Sequence, residues 1–179
     1  MNKNIIIMYF IAISLLIATA SHAQINFKEK QTTNGNYFAM LNENIIATSS
    51  NEKIVLKSLT ECNNNFQFKF ISQYGDDLKF EYKKYSIYYS GIEVVGMDFV
   101  IHEKNNIIQY LNGSFENIIN PNLTIILSEI NATQIAKSFF KTKNFSITED
   151  KIKVEKLKLC FTKNYLVTNS TYCLAYSFP

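Results

Sequence analysis

The chain of 179 residues contains no arginine and no tryptophan, and it carries only three cysteines and two histidines. All 18 basic residues are lysines, and 15 acidic residues oppose them, which leaves a net charge of only +3. Domains that bind nucleic acid cluster their positive charge and favour arginine for contacts to phosphate and guanine. The composition therefore predicts that the chain does not bind nucleic acid.

The scarcity of histidine argues against catalysis by this chain. A zinc-protease site needs His-Glu-x-x-His on a helix, whereas the segment from His102 reads His-Glu-Lys-Asn-Asn, ends at Asn106 and falls on a strand and turn. The other histidine, His22, lies in a segment that we expect to be removed. The sequence also has no glycine-rich phosphate loop after a strand and no Gly-x-Ser-x-Gly elbow. We therefore predict a chain that is not an enzyme and binds no metal or cofactor.

The three cysteines are too few and too widely spaced for a zinc ribbon, which needs cysteines two to four residues apart in pairs. An odd number in an exported chain leaves one free thiol or one intermolecular bond. Cys160 and Cys173 fall on two predicted neighbouring strands, where a disulfide bond is geometrically feasible. The state of Cys62 stays open.

The first 23 residues have the pattern of a secretory signal peptide. Lys3 is the only charge, Ile5 to Ile17 form an apolar run, and Ser21-His22-Ala23 or Ala18-Thr19-Ala20 provides a small-residue cleavage site. The run is short for a membrane span, which needs about 20 apolar residues. We expect cleavage after Ala23, a secreted or periplasmic location and no stable membrane anchor. Removing 23 residues from 179 leaves 156, which is enough for one domain or two small ones sharing a core.

Alternating apolar residues predict an antiparallel meander in the middle of the chain. The phase of the alternation changes at Gly96, which predicts a bulge or bend because glycine tolerates the backbone angles required there. Residues 24–65 contain short apolar runs that fit either strands or helical turns, so we assign no structure to them. The four predicted strands are Phe66 to Ser72, Leu78 to Tyr89, Ile92 to His102 and Asn106 to Ser114.

The C-terminal part has a helical signal followed by two strands. Asn131 and Gln134 resemble a capping box, and apolar residues recur at four-residue spacing from Ala132 to about Lys141. The apolar face of this helix requires a sheet to cover it. Strands are predicted from Ile152 to Phe161 and from Tyr172 to Phe178. The fold class is therefore α+β, with an antiparallel meander, a helix and a C-terminal hairpin.

Two features have both a structural and a functional interpretation. The 11 tyrosines and 14 phenylalanines are expected mainly in the core, although such residues also build carbohydrate or peptide platforms. His102 ends a predicted strand and is either a partly exposed residue there or a group that responds to pH near neutrality.

The stretch from Tyr85 to His102 resembles the core of the pro-domain that precedes the catalytic domain in thermolysin-like and fungalysin-like zinc metalloproteases. The similarity is best between Phe66 and Phe115, and Leu174-Ala175-Tyr176 resembles the closing hairpin of the PepSY-like segment that follows in that family. The departures from the family pattern are Tyr82, Ser86, Ile87 and Glu93. The matching positions are Lys84, Tyr85, Tyr89, Gly91, Ile92, Val94, Gly96 and His102.

The resemblance divides the chain into a signal peptide (1–23), an uncertain region (24–65), an FTP-like (fungalysin/thermolysin propeptide) sheet (66–120) and a PepSY-like helix with a hairpin (121–179). It implies a pro-segment that templates folding of a protease catalytic domain and inhibits it, in cis or in trans. Zinc and calcium would belong to that catalytic domain, which is missing here, so we expect a chain truncated at its C-terminus. The implied structural residues are Gly96, His102 and Gly113.

The implied protease contacts lie on one face of the sheet formed by Leu78 to Ser114; they are Lys84, Tyr85, Tyr89, Gly91 and Glu93. A free-standing secreted inhibitor or binding module is the first alternative function. A structural or adhesive surface protein with an unrelated α+β fold is the second.

Overall fold

The computed structural model describes residues 25–125, 127–142, 157–163 and 171–177. The predicted signal peptide with Ala23, and residues 152–156 of one predicted strand, lie outside the described residues. Within those ranges the expected combination of helices with a mostly antiparallel sheet is confirmed. The elements are β1 (Phe27–Thr33), β2 (Asn36–Ile46), α1 (Ser49–Thr60), β3 (Phe66–Gly75), β4 (Phe80–Tyr89), β5 (Ile92–Lys104), β6 (Ile107–Ser114), α2 (Glu129–Thr142), β7 (Lys158–Lys163) and β8 (Tyr172–Ser177).

The strands of the described residues form one sheet in the order β1-β2-β6-β5-β4-β3. β3, β4 and β5 each pair antiparallel with the next strand along the chain. Because β4 occupies one edge of β5 along its length, β6 and β7 share the other edge. β7 runs parallel to β5 and pairs antiparallel with β8.

Residues 25–65, to which the sequence analysis assigned no structure, form two further strands of this sheet and the helix that covers one of its faces. β1 and β2 pair with each other, and β2 continues to β6. The hydroxyl of Thr48 accepts a hydrogen bond from the amide of Asn51 at 3.2 Å, which caps the start of α1. The helix ends at Glu61, whose left-handed backbone (φ 53°) returns its amide to the carbonyl of Lys57.

The core lies between α1 and one face of the sheet. Val55, Leu56 and Leu59 of the helix are fully buried and belong to the same apolar cluster as the sheet residues. Burying each such side chain contributes about 1.5–3 kcal/mol. The largest fully buried apolar residues outside the helix are Phe66, Tyr85, Ile87, Phe99, Ile101, Ile108, Leu111, Phe115 and Phe161.

The second helix differs from its prediction at its start and in its surroundings. The hydroxyl of Ser128 accepts from the amide of Asn131 at 3.2 Å, so the helix begins at Glu129 and the predicted cap at Asn131 is wrong. Serine and asparagine cap equally well, and here the earlier residue is used. Ile130 and Ile135 are 71% and 56% exposed, so no sheet among the described residues covers this side of the helix as the sequence predicted.

The phase change at Gly96 coincides with an irregularity between β4 and β5. Ser86 pairs with Asp98, whereas Tyr88 pairs with Glu93, so β5 has extra residues between these two pairs. Gly96 adopts φ +86°, in the region that L side chains rarely enter. Its place in the bulge explains why the apolar alternation changes phase there.

Candidate functional site

The two faces of the sheet differ in what they can offer to another molecule. The face under α1 is occupied by the core. We call the opposite side of β2 to β6 the open face; its residues are partly buried or exposed. It carries Phe38, Met40, Tyr74, Phe80, Tyr82, Lys84, Asp98, Val100, His102, Lys104, Tyr110 and Asn112.

Four rings form a continuous row across the open face, which we call the aromatic row: Tyr74, Tyr82, His102 and Tyr110. The strand register places each ring directly opposite the next. Tyr74 and Tyr82 stack with centroids 4.7 Å apart, and His102 stacks on Tyr110 at 3.9 Å. The edge of the His102 ring meets Tyr82 at 4.9 Å. Directly opposed aromatic pairs contribute to sheet stability and here also order the surface.

Hydrogen bonds to Asp76 fix the position of the Tyr82 ring in the aromatic row. The Tyr82 hydroxyl donates to Asp76 Oδ2 at 2.5 Å, and Asp76 Oδ1 accepts from the amides of Leu78 and Phe80. The hydrogen bond to Asp76 raises the pKa of Tyr82 to about 12. The same bond, followed by the Phe80 amide, lowers the pKa of the Asp76 carboxyl. At neutral pH the Tyr82 hydroxyl is therefore protonated, and the Asp76 carboxylate is negatively charged.

His102 lies at the centre of the row. Its Nε2 is 2.5 Å from Asn112 Oδ1, so with this amide orientation Nε2–H is the donor in the neutral ring. Burial lowers the pKa of His102, and the bond to Asn112 opposes that effect without reversing it. The Nδ1 atom is buried and has no hydrogen-bond partner among the described residues. The imidazole is therefore neutral near pH 7.

Lysines surround the aromatic row. Lys84 Nζ lies 2.8 Å from Asp98 Oδ2, and both side chains are 44% exposed. Lys104 lies over the ring of Phe80 at 4.7 Å, and Lys69 lies over Tyr88 at 3.7 Å. Ordered rings with a charged margin provide the apolar centre and polar rim typical of protein-binding surfaces.

A buried ionic cluster lies on the other side of the same strands, beneath α1. Lys83 Nζ is 2.8 Å from Glu52 Oε1 and 2.9 Å from Glu103 Oε1. The Tyr85 hydroxyl donates to Glu52 Oε2. The contact to Glu103 lacks an aligned hydrogen bond, so charge attraction is its main compensation. The two carboxylate side chains are 1% and 3% exposed, which makes the cluster a structural element rather than a ligand site.

Burial has the largest effect on the pKa values of Glu103, Lys83 and Tyr85 in this cluster. It raises the pKa of Glu103, an effect that Lys83 opposes and the charge of Glu52 reinforces. Burial alone would lower the pKa of Lys83, but its hydrogen bond to Glu52 and its close ionic contact with Glu103 carry it above its ordinary value. Burial and the bond to Glu52 raise the pKa of Tyr85. One cation thus balances two carboxyl groups inside the protein.

The five residues predicted to contact a protease do not share one surface. Lys84 is on the open face, and Gly91 is exposed at the turn between β4 and β5. Tyr85 is 1% exposed in the core, so its side chain is not at the surface. Tyr89 packs edge-on against Phe66 and Phe161 at 5.0 and 5.6 Å. Glu93 forms an ion pair with Lys158 of β7.

Two of the three residues predicted to be structural are glycines whose surroundings explain their identity. Gly96 occupies the bulge described above. A Cβ at Gly113 would lie 2.2 Å from the carbonyl oxygen of Asp98 and 2.7 Å from the Cα of Phe99. Only glycine therefore allows β6 to approach β5 at that point. The third residue, His102, belongs to the aromatic row.

The feasible disulfide bond between Cys160 and Cys173 does not form. These cysteines lie on neighbouring strands, but Cys160 pairs with Ala175 and Cys173 with Thr162. Such a diagonal offset separates Cα atoms by about 7–8 Å, which is beyond the range of a disulfide bond. In the described part of the chain all three cysteines, including Cys62, carry free thiols.

Much of the open face was not predicted as a site. Tyr74 and Tyr110 carried no motif, and the tyrosines and phenylalanines as a group were expected in the core. The available signal was β4, where Tyr82 and Tyr85 fall on opposite faces and so cannot both be buried under one helix.

Within the described ranges, no three His, Cys, Asp or Glu side chains lie close enough to hold a metal ion. The same ranges hold no helix that is long and apolar enough to cross a membrane. No family model and no curated protein matches the chain.

Proposed function

We propose that this chain is an exported, non-catalytic binding module that acts as the pro-segment of a thermolysin-like metalloprotease. In this proposal the open face binds the catalytic domain and inhibits it. The observation that carries the proposal is the aromatic row with its margin of lysines, an ordered surface that no described helix packs against. The resemblance of Tyr85 to His102 to the pro-domain family supplies the identity of the partner.

The physical argument for this surface rests on its order before binding. The rings of the aromatic row already contact each other, so little side-chain freedom is lost when a partner covers them. Tyrosine offers a large apolar area with a hydroxyl that can bind at the rim. Lys104 adds positive charge that favours an acidic catalytic domain, and Lys84, paired with Asp98, adds an exposed ammonium group at the rim.

A tether would strengthen even a modest interface. A domain linked by a short flexible segment acts at about millimolar effective concentration. Cutting the link removes that advantage, so one proteolytic event would release the protease. The proposed module therefore controls activation without chemistry of its own.

The test is inhibition of a purified thermolysin-like protease by the purified chain, followed with a chromogenic peptide substrate. We expect inhibition at or below about 0.1 mM, a tenth of the effective concentration supplied by a short tether. Lys84→Glu and Val100→Arg, both on the open face, should raise the inhibition constant about tenfold or more. Lys57→Glu, a charge reversal on the exposed side of α1, is the matched control and should change it by less than about twofold.

Two results would contradict the proposal. One is full protease activity at 0.1 mM of a chain that is folded by circular dichroism. The other is inhibition that responds equally to Lys84→Glu and Lys57→Glu, because the open face would then not be the interface.

A free-standing secreted inhibitor or binding module is a second candidate function. The closed core between α1 and the sheet favours it, since this part of the chain buries its apolar residues without a partner. Pro-segments are often marginally stable alone, so a cooperative unfolding transition of the isolated chain would favour a free-standing module. Broad, non-cooperative unfolding that sharpens when the protease is added would favour the pro-segment.

A further inference from the structure

β3 forms one of the two ends of the strand order β1-β2-β6-β5-β4-β3. All of its residues from Lys69 to Gly75 are exposed. They include three large apolar side chains: Phe70 and Ile71 at 50% exposure and Tyr74 at 57%. An edge strand presents a row of unpaired backbone amide and carbonyl groups, and apolar side chains beside that row make it suitable for pairing with another strand.

The opposite end of this strand order is protected in a way that β3 is not. β1 carries Lys28, Glu29 and Lys30 in succession, and charges on an edge strand discourage pairing with another chain. β3 has no charged residue between Phe70 and Gly75. Of the two ends of this strand order, β1 is therefore protected by charge, whereas β3 is open to association between Phe70 and Gly75.

β3 is also complementary to itself. If a two-fold axis passes through Gln73, Tyr74 lies opposite Ser72 of a second copy and Gly75 lies opposite Phe70. This register leaves Ile71 unpaired, as it already is against β4, where the register shifts between Phe70 and Ser72. Opposed residues then lie on the same face of the joined sheet, as antiparallel pairing requires.

The same register brings opposite charges together. One step beyond Gly75, Asp76 lies opposite Lys69 of the second copy. Both belong to the open face, because Asp76 accepts from the Tyr82 hydroxyl and Lys69 lies over the Tyr88 ring at 3.7 Å. The two-fold axis repeats the pair, so each association forms two Lys69–Asp76 contacts.

We propose that β3 of one chain pairs antiparallel with β3 of a second copy, forming a dimer with one continuous sheet whose two-fold axis passes through Gln73. The dimer joins the open faces of both chains into a single surface. This assembly is independent of the protease partner proposed above, because it uses the edge of the sheet rather than its face.

The first test is sedimentation equilibrium of the purified chain at concentrations up to about 1 mM. We expect a monomer–dimer equilibrium. Lys69→Glu replaces two attractions with two repulsions and should weaken dimerisation about tenfold. Lys28→Glu makes the same charge reversal on β1 and should leave the dimer constant within about twofold.

The second test places a cysteine on the axis. Gln73→Cys brings two thiols face to face, because Cα atoms opposed in antiparallel strands lie about 4.5–5.5 Å apart, within disulfide range. Mild oxidation should produce a covalent dimer linked through position 73 by peptide mass mapping. Gln67→Cys, on the same strand but six residues from the axis, should not form that link. A monomer at every concentration, or a dimer insensitive to Lys69→Glu and not linked through position 73, would overturn the proposal.

Discussion

Replacing Lys83 by methionine tests whether the buried ionic cluster stabilises the fold as the structure implies. The Lys83 ammonium is the shared cation of Glu52 and Glu103, at 2.8 and 2.9 Å, and its side chain is only 16% exposed. Removing one partner of a buried ion pair costs about 3–5 kcal/mol, because the remaining charge is left without compensation. We therefore expect Lys83→Met to lower the free energy of unfolding by that amount at about pH 7.

The loss should depend on pH in a defined direction. The pKa of Glu103 is raised above 4.5 in the folded protein, so the folded state binds this proton more tightly than the unfolded state. Stability from this group falls as pH rises from 4.5 through the raised value. Without Lys83 the effect grows, since both carboxylates lose their cation. The penalty of Lys83→Met should therefore shrink by about half or more at pH 4, which lies below the raised pKa of Glu103, because the Glu103 carboxyl then binds a proton.

The assay is urea denaturation followed by circular dichroism and tyrosine fluorescence at both pH values. The neighbouring Lys84→Met is the control: its ion pair with Asp98 has both side chains 44% exposed, so it should cost less than about 1 kcal/mol. The reasoning would be refuted if Lys83→Met cost no more than Lys84→Met at pH 7. A penalty that did not shrink on acidification would contradict the assignment to carboxylate charge.

Three further outcomes follow from the packing. Phe99→Ala, at a fully buried position, should cost about 3–5 kcal/mol of unfolding free energy in the same urea assay. Gly113→Ala should prevent β6 from approaching β5, because the new Cβ would lie 2.2 Å from the Asp98 carbonyl oxygen. The backbone amides of β5 and β6 should therefore lose their protection against hydrogen exchange in this variant. In an NMR titration the pKa of His102 should lie below its ordinary value of 6.5. Its contribution to stability is then present above pH 6.5 and is lost as the pH falls through the lower pKa of the folded state. Asn112→Ala should lower the pKa of His102 further, because it removes the hydrogen bond that raises it.

The strands from β3 to β6 could be predicted to within a few residues because their signals are local. Alternation of apolar residues defines each strand, and the turns between them use residues that tolerate positive φ: Ser90 and Gly91, then Asn105 and Asn106. Such turns are set by two or three neighbouring residues. Short-range information was therefore sufficient for this part of the fold.

α1 could not be assigned because one of its inward positions is charged. Val55 and Leu59 have helical spacing, but Glu52 on the same face breaks the apolar pattern expected of a buried side. Its charge is compensated by Lys83, 31 residues away, and by the hydroxyl of Tyr85. That compensation depends on how the helix lies on the sheet, which no local pattern reveals.

The aromatic row was missed for a related reason. Tyr74, Tyr82, His102 and Tyr110 come from four strands, and they meet only because the register places them opposite one another. Each of the pairs β3–β4, β4–β5 and β5–β6 contains a shift in register, such as the shift between His102 and Glu103. A register shift of one residue turns every side chain to the other face, so the row depends on bulges that alternation alone does not fix.

β4 shows how much depends on which face a residue takes. Lys83 and Lys84 are neighbours, yet one joins the buried cluster and the other pairs with Asp98 at the surface. Tyr82 and Tyr85 are likewise divided, one bonding Asp76 on the open face and the other Glu52 in the core. The resemblance to the pro-domain family assigns Lys84 and Tyr85 together as protease contacts. Under the proposed function only Lys84 can reach a partner on the open face, and Tyr85 supports that face from behind by fixing β4 to α1.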